Sequence, residues 1–177
     1  MVVAEDIIAV AVDENIVATA NMYAKQSVHF TYDRMHLKNP SLRLRNIIIG
    51  KIMEGAFEQL LKEKNIPFDK HGETHYTQID KYDIGISGHR CDIKGFFLRD
   101  KKAQRALRTD AAWLLDCCAL VPTDQLFSET LKMDDYYIFA FITANIEDRN
   151  IENQLHSIIV HHGVVYFCGF ISKKEFQ

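Results

Sequence analysis

Residues 82–95 have the sequence YDIGISGHRCDIKG, which is typical of two short strands joined by a tight turn. Successive side chains of a strand point to opposite faces, so we expect Asp92 and Lys94 to share one face while Ile93 packs behind them. Asp83 lies on the preceding strand, across a turn whose glycine can take left-handed dihedral angles. The hairpin therefore predicts two carboxylates and one ammonium around one point, which is a suitable seat for Mg²⁺.

The spacing of these charged residues is a weak signal when it is taken alone. Acidic residues and lysines are common, and the alternative interpretation is a solvated hairpin face with an ordinary ion pair. The helix that precedes the hairpin strengthens the interpretation as a metal site.

This helix is predicted to begin at Asn39, a good N-cap, with Pro40 at its first position. It is predicted to end near Asn65, because Pro67 stops it. Apolar residues recur on one side of the helix and form a broad face for burial, among them Ile48, Ile52, Ala56 and Leu60.

Glu54 lies inside this mostly apolar block of the helix. A carboxylate there needs solvent or a partner, because unpaired buried charge is costly. A metal ion shared with Asp83 and Asp92 would serve. Glu58, one helical turn later, either adds a carboxylate to that site or pairs with Lys62, and we favour the ion pair.

The helix with G-x-x-x-E, the extended segment after it and the hairpin with Asp and Asp-x-Lys resemble the PD-(D/E)xK nuclease superfamily. The resemblance covers about residues 40–98 and implies an α/β fold with a restriction-endonuclease-like core, in which helices flank a mixed central β-sheet. It implies that Glu54 is the acidic residue of the first helix. Asp83 and Asp92 correspond to the acidic positions of the signature, and Lys94 corresponds to the catalytic lysine.

The resemblance further implies a Mg²⁺-dependent DNA endonuclease, with Mn²⁺ as a substitute cation. Asp83, Asp92 and the Ile93 carbonyl would hold the ion, and Glu54 would bind it directly or through water. Lys94 would orient or deprotonate the attacking water. A homodimer is expected from the resemblance. Tyr82 stands where the name of the signature has proline.

Two other functions remain open at the level of sequence. The first is a non-catalytic DNA-binding or assembly module on the same fold, and the second is an oligomerisation or regulatory domain whose hairpin charges are only surface. The presence of all four signature residues favours the enzyme.

A length of 177 residues and a hydrophobic content of 47% predict one domain over residues 1–177. Residues 1–38 are predicted to form a helical N-terminal extension packed on that core. The net charge of −3 provides no overall attraction to DNA. Basic residues nevertheless flank the site in sequence: Arg43, Arg45, Lys51, Arg99, Lys101, Lys102, Arg105 and Arg108.

Several classes of protein are not expected. No apolar run approaches the ~20 residues of a membrane helix, and the acidic N-terminus is unlike a signal peptide, so we expect a soluble, cytoplasmic protein without a membrane partner. Glycine-rich phosphate loops are absent, so no nucleotide cofactor is expected. The four cysteines lack C-x-x-C spacing, which argues against a zinc ribbon or a redox pair.

The C-terminal part of the chain is predicted to complete the sheet. DDYYIFAFITA, residues 134–144, is typical of a buried strand. Residues 154–171 predict two more strands, broken near His162 and Gly163. Residues 101–121 are predicted to be helical in their first half, with Trp113 in the core.

Overall fold

Six strands form one mixed sheet in the part of the chain that the computed structural model describes, which comprises residues 3–30, 39–75, 77–78, 80–107, 109–117, 121, 127 and 135–176. The strand order is β1-β6-β5-β4-β3-β2. β4 and β5 pair in parallel, and the other neighbours pair antiparallel. The strands are β1 (Ile8–Ala11), β2 (Phe68–Asp69), β3 (Ile84–Ile86), β4 (His89–Phe97), β5 (Tyr136–Ile151) and β6 (Gln154–Ser172).

Helices pack beside this sheet, as predicted for the α/β class. They are α1 (Glu14–Ser27), α2 (Pro40–Glu63), α3 (Lys101–Ala106) and α4 (Lys173–Phe176), with short 3-10 helices at Ala4–Asp6 and Ala112–Asp116. Within the described residues, no helix combines the length and the apolar character that a membrane crossing requires.

The predicted hairpin forms between β3 and β4. Ile86 lies opposite His89, and the two residues between them, Ser87 and Gly88, have φ angles of 50° and 81°. Positive φ at both central positions gives the kind of two-residue turn whose twist matches that of the flanking strands. The local sequence therefore determines the register of this hairpin.

The predicted long helix is α2. The Asn39 side chain accepts hydrogen bonds from the backbone amides of Ser41 and Leu42, and Pro40 is the first helical residue. The apolar face is buried as expected, with Ile48, Ile52 and Ala56 fully inaccessible to solvent. α1 packs closely beside α2, since a Cβ at Gly55 would lie 2.9 Å from Ile16 Cγ2.

The two faces of β4 meet different surroundings. A Cβ at Gly95 would lie 2.0 Å from Met53 Cε, so Gly95 faces α2. Cys91 and Ile93 also belong to the core beneath α2, whereas Phe96 packs in a second apolar cluster. Because side chains alternate along a strand, the even-numbered residues of β4 point away from α2.

β6 is continuous where the sequence predicted two strands broken near His162 and Gly163, so that prediction was wrong. The register of β6 against β5 shifts between Thr143 and Asn145, and His162 has a φ of 51°. This irregularity is a β-bulge in the pairing of β5 with β6, and it does not interrupt the strand. β5 also continues past the predicted end at residue 144.

The N-terminal region contributes a strand as well as a helix. β1 forms the sheet edge beside β6, so the region is not helical throughout. α1 begins after Asp13, whose side chain accepts from the Ile16 amide, and packs on α2. Asn21 of α1 exchanges two hydrogen bonds of 2.9 Å with the backbone of Ile158. Residues 31–38 of the predicted extension lie outside the described residues.

Candidate functional site

Asp83 lies immediately before β3 and is fixed against β4. Its Oδ2 accepts a hydrogen bond of 2.7 Å from the Ile93 amide, and its own amide donates to the Cys91 carbonyl. The N–H and C=O of one strand residue point to the same edge, so the Ile93 carbonyl lies on the edge that carries Asp83. The Asp83 carboxylate and this carbonyl therefore share one strand edge.

Glu54 lies in the middle of α2 with 22% of its side chain exposed. Burial and the negative charge of Asp83 raise the pKa of Glu54 to about 8, although Lys51 acts in the opposite direction. Glu54 and Asp83 therefore lie close enough to interact electrostatically. The structure brings together these two predicted site residues.

Lys51 is a member of this site that the sequence analysis placed only in a basic patch. Its Nζ lies 2.6 Å from Glu54 Oε2, 3.4 Å from Asp80 Oδ2 and 4.4 Å from the centre of the Tyr23 ring. Burial alone would lower the pKa of Lys51, but the attraction and hydrogen bond of Glu54 outweigh it and raise that pKa. Spacing of three residues on one helix could have indicated the pair with Glu54.

Asp80 completes the acidic side of this cluster and is itself held by the chain. Its Oδ1 accepts hydrogen bonds from the Thr74 amide at 2.8 Å and from the Thr74 hydroxyl at 3.1 Å. The Lys51 ammonium therefore contacts two carboxylates, those of Glu54 and Asp80, and the charge of Asp83 acts on Glu54.

Asp92 and Lys94 form a separate ion pair on the other side of β4. Only 2% of the Asp92 side chain and 12% of the Lys94 side chain are exposed. Lys94 Nζ lies 5.7 Å from the centre of the fully buried Tyr137 ring. Both residues occupy even-numbered positions of β4 and so point away from α2 and Glu54.

The expected convergence of four side chains on one point is therefore replaced by two adjacent pairs. Glu54 and Asp83 lie on the α2 side of β4, and Asp92 and Lys94 lie on the opposite side. Asp83 is linked to both, since it binds the amide of Ile93, the residue between Asp92 and Lys94. Among the residues that the structure describes, no three His, Cys, Asp or Glu side chains form a group that could hold a metal ion.

A cavity of about 440 Å³ opens between α1 and α2 and reaches this cluster. Tyr23, Lys51, Glu54 and Glu58 contribute to its lining. Glu58 pairs with Lys62 at 3.7 Å, which confirms the predicted ion pair, and with Lys70 at 3.0 Å.

Arg90, near the start of β4, makes a structural contact with Asp135. Its guanidinium binds both oxygens of Asp135, at 2.9 and 2.6 Å, and this contact lowers the pKa of the Asp135 carboxyl. Because Asp135 directly precedes β5, the contact ties the start of β4 to the start of β5.

The basic residues near the start of α2 also make intramolecular contacts. Arg43 Nη1 donates to the Val28 carbonyl at 3.1 Å, and Arg45 lies 3.6 Å from Asp148. These contacts direct both side chains toward the protein. Arg108 lies outside the described residues.

Comparison of the chain with models of protein families, with curated proteins and with solved structures finds no match. The resemblance to the nuclease superfamily therefore remains a prediction from the residues.

Proposed function

We propose that this chain is a Mg²⁺-dependent DNA endonuclease of the PD-(D/E)xK type. The order of elements supports the proposal: α2 is followed by the antiparallel strands β2, β3 and β4, then by α3, then by β5 parallel to β4. The observation that carries the proposal is the hydrogen bond of Asp83 to Ile93, between Asp92 and Lys94.

In the proposed site, Asp83 and the Ile93 carbonyl, which share one strand edge, would hold a Mg²⁺, and Glu54 would contact it through water. Asp92, which the resemblance adds as a ligand, points to the opposite face of β4 and would have to leave Lys94 to reach that ion. The bound ion would lower the pKa of a coordinated water and neutralise charge on the scissile phosphate. The residues of this chain would orient the groups that take part in the reaction. The Ile93 amide fixes the Asp83 carboxylate, and Asp92 fixes the Lys94 ammonium that orients the water.

Lys51 has a supporting part in this mechanism. Its ammonium contacts the carboxylates of Glu54 and Asp80, and it holds Glu54 at the cavity wall.

The decisive substitution is Asp83→Asn in the full chain. The amide oxygen of asparagine can still accept from the Ile93 amide, so the hairpin is kept while the charge is lost. We expect cleavage of supercoiled plasmid in Mg²⁺ to fall by about a hundredfold or more. Lys94→Ala should have a similar effect, EDTA should stop cleavage by the unmodified protein, and Mn²⁺ should restore it.

Asp148→Asn is the matched control, since Asp148 is partly exposed on the β5–β6 hairpin and pairs with Arg45. It should cleave at the rate of the unmodified protein. Full cleavage by both Asp83→Asn and Lys94→Ala, with their folding checked by circular dichroism, would refute the assignment.

A second candidate is the non-catalytic DNA-binding or assembly module. The burial of Asp92 against Lys94 favours it, because two opposite charges that satisfy each other can have a purely structural role. Titration calorimetry with Mn²⁺ separates the two candidates. The enzyme should bind the ion and lose it in Asp83→Asn, whereas the module should bind DNA without binding Mn²⁺.

The proposal includes a homodimer, on the resemblance alone, and keeps the cytoplasmic location expected from the sequence. Two subunits would cut the two DNA strands. Analytical ultracentrifugation of the full chain would test the dimer.

A further inference from the structure

The short C-terminal helix α4 lies against the face of the sheet that carries Asp92 and Lys94. The Phe176 ring of α4 lies 5.9 Å from the Tyr137 ring and 6.1 Å from the Phe139 ring, measured between ring centres. Both of these aromatic residues belong to β5, the parallel neighbour of β4.

The register of the two strands places Phe176 beside the ion pair. Tyr137 is the partner of Asp92, and Phe139 is the partner of Lys94. Partners in neighbouring strands point to the same face of a sheet, so the rings and the ion pair share one face. Phe176 therefore lies on the face that carries the ion pair, over the strand next to it.

The ion pair is closed to solvent in this arrangement. Asp92 is 2% exposed, although a carboxylate that binds a metal ion in contact with a DNA phosphate must be reached from outside. A closed site of this kind admits a polymeric substrate only after part of its cover moves.

α4 has the properties of a part that can move. None of its residues, Lys173–Phe176, is buried. Glu175 accepts from the Ser172 hydroxyl at 2.6 Å at the protein surface, and the Lys173 amide donates to the Asp135 carbonyl at 2.9 Å. Segments held by few buried apolar contacts are those that open most readily.

We propose that α4 is a hinged cover whose Phe176 ring closes the Asp92–Lys94 pair and swings away to admit a DNA phosphodiester. The role of the opened site rests on the proposed nuclease function. The cover itself rests on geometry and can be tested separately.

The test is Phe176→Ala in the full chain, with the reactivity of Lys94 as the readout. Acetic anhydride acetylates accessible amines, and mass spectrometry of the digested protein measures the rate at each lysine. We expect Lys94 to react at least about fivefold faster in Phe176→Ala, because the smaller side chain uncovers its ammonium. Lys62, with 66% of its side chain exposed and far from α4 in sequence, should react equally in all variants.

Phe170→Ala is the matched control. Phe170 is also a phenylalanine near the C-terminus, is 70% exposed, and contacts the Tyr136 ring at 5.8 Å rather than Tyr137. It should leave acetylation of Lys94 unchanged. Glu175→Ala removes the contact with Ser172 and is a second way to loosen α4. If Phe176→Ala fails to fold, Glu175→Ala serves in its place and should also raise the rate of acetylation at Lys94.

The rate of acetylation at Lys94 decides whether α4 covers the ion pair. Faster acetylation of Lys94 in the folded Phe176→Ala or Glu175→Ala protein supports it, and an unchanged rate in both overturns it. The DNA assay then addresses the nuclease separately. Faster cleavage by the opened variants supports both proposals, whereas faster acetylation with no cleavage by any variant retains the cover and rejects the nuclease.

Discussion

The two sides of β4 each hold a carboxylate paired with a lysine, but their surroundings differ. On the α2 side, Glu54 and Lys51 line a cavity and share it with further carboxylates, so negative charge is in excess. On the opposite side, Asp92 and Lys94 balance each other and are closed off beneath aromatic rings.

This difference shows that a pair of charged residues can have either of two roles. On the crowded side, which carries Glu54 and Lys51, burial and the negative charge of Asp83 raise the pKa of Glu54. On the balanced side, Asp92 and Lys94 carry opposite charges in contact, so removal of either charge would leave the other buried at a cost in stability. Asp83 lies beside β4 and, by binding the Ile93 amide, is the element through which both sides could act on one ion.

The largest effect on stability should come from a substitution in the Asp92–Lys94 pair on the balanced side. Asp92→Asn removes the negative charge that the buried Lys94 ammonium contacts, and we expect the free energy of unfolding to fall by about 3–5 kcal/mol. The double substitution Asp92→Asn with Lys94→Met removes that ammonium and should recover much of the loss. Urea denaturation measures both, and a loss below ~1 kcal/mol in Asp92→Asn would contradict the burial of this pair.

The unfolding free energy should depend on pH because of Glu54 on the crowded side. The folded-state pKa of Glu54, about 8, lies above its ordinary value of 4.5, so the folded protein holds a proton that the unfolded chain releases. The stability due to this group is complete below pH 4.5 and is lost as pH rises toward 8, by at most ~1.4 kcal/mol per pH unit.

Glu54→Gln should remove this dependence. In EDTA, its unfolding free energy should decline less between pH 5 and pH 8 than that of the unmodified protein, as measured by urea denaturation at each pH. Parallel curves for the two proteins would show that Glu54 titrates normally.

The smallest effect is expected one helical turn further along α2. Glu58 pairs with Lys62 and Lys70, whose side chains are exposed to water, so Glu58→Gln should change the unfolding free energy by less than ~1 kcal/mol. The comparison of Glu54→Gln with Glu58→Gln at pH 8 sharpens the distinction between a crowded carboxylate and an ordinary ion pair. Equal effects of the two substitutions would remove that distinction.

Local sequence signals predicted much of the fold. The N-cap and proline set the start of α2, and the turn residues set the register of the β3–β4 hairpin. The continuity of β6 was not predictable in this way, because His162 and Gly163 resemble a strand break and only pairing with β5 bridges them.

The residues of the candidate site likewise divide into those that local sequence predicted and those that only distant packing brought in. Asp83, Asp92 and Lys94 were found because they lie close together in one hairpin, and alternation correctly placed Asp92 and Lys94 on one face. Tyr23 and Asp80 contact Lys51 from separate parts of the chain, and no spacing in the sequence links them.

The sequence by itself determined the helix, the hairpin and the residues that carry charge, because capping, turn geometry and side-chain alternation act over a few residues. The tertiary structure decided which charges meet. The packing of α2 on the odd-numbered face of β4 assigned Glu54 to one side and the Asp92–Lys94 pair to the other. Burial and long-range packing then made one side crowded and the other closed, since the local dielectric environment and neighbouring charges arise only when distant segments come together.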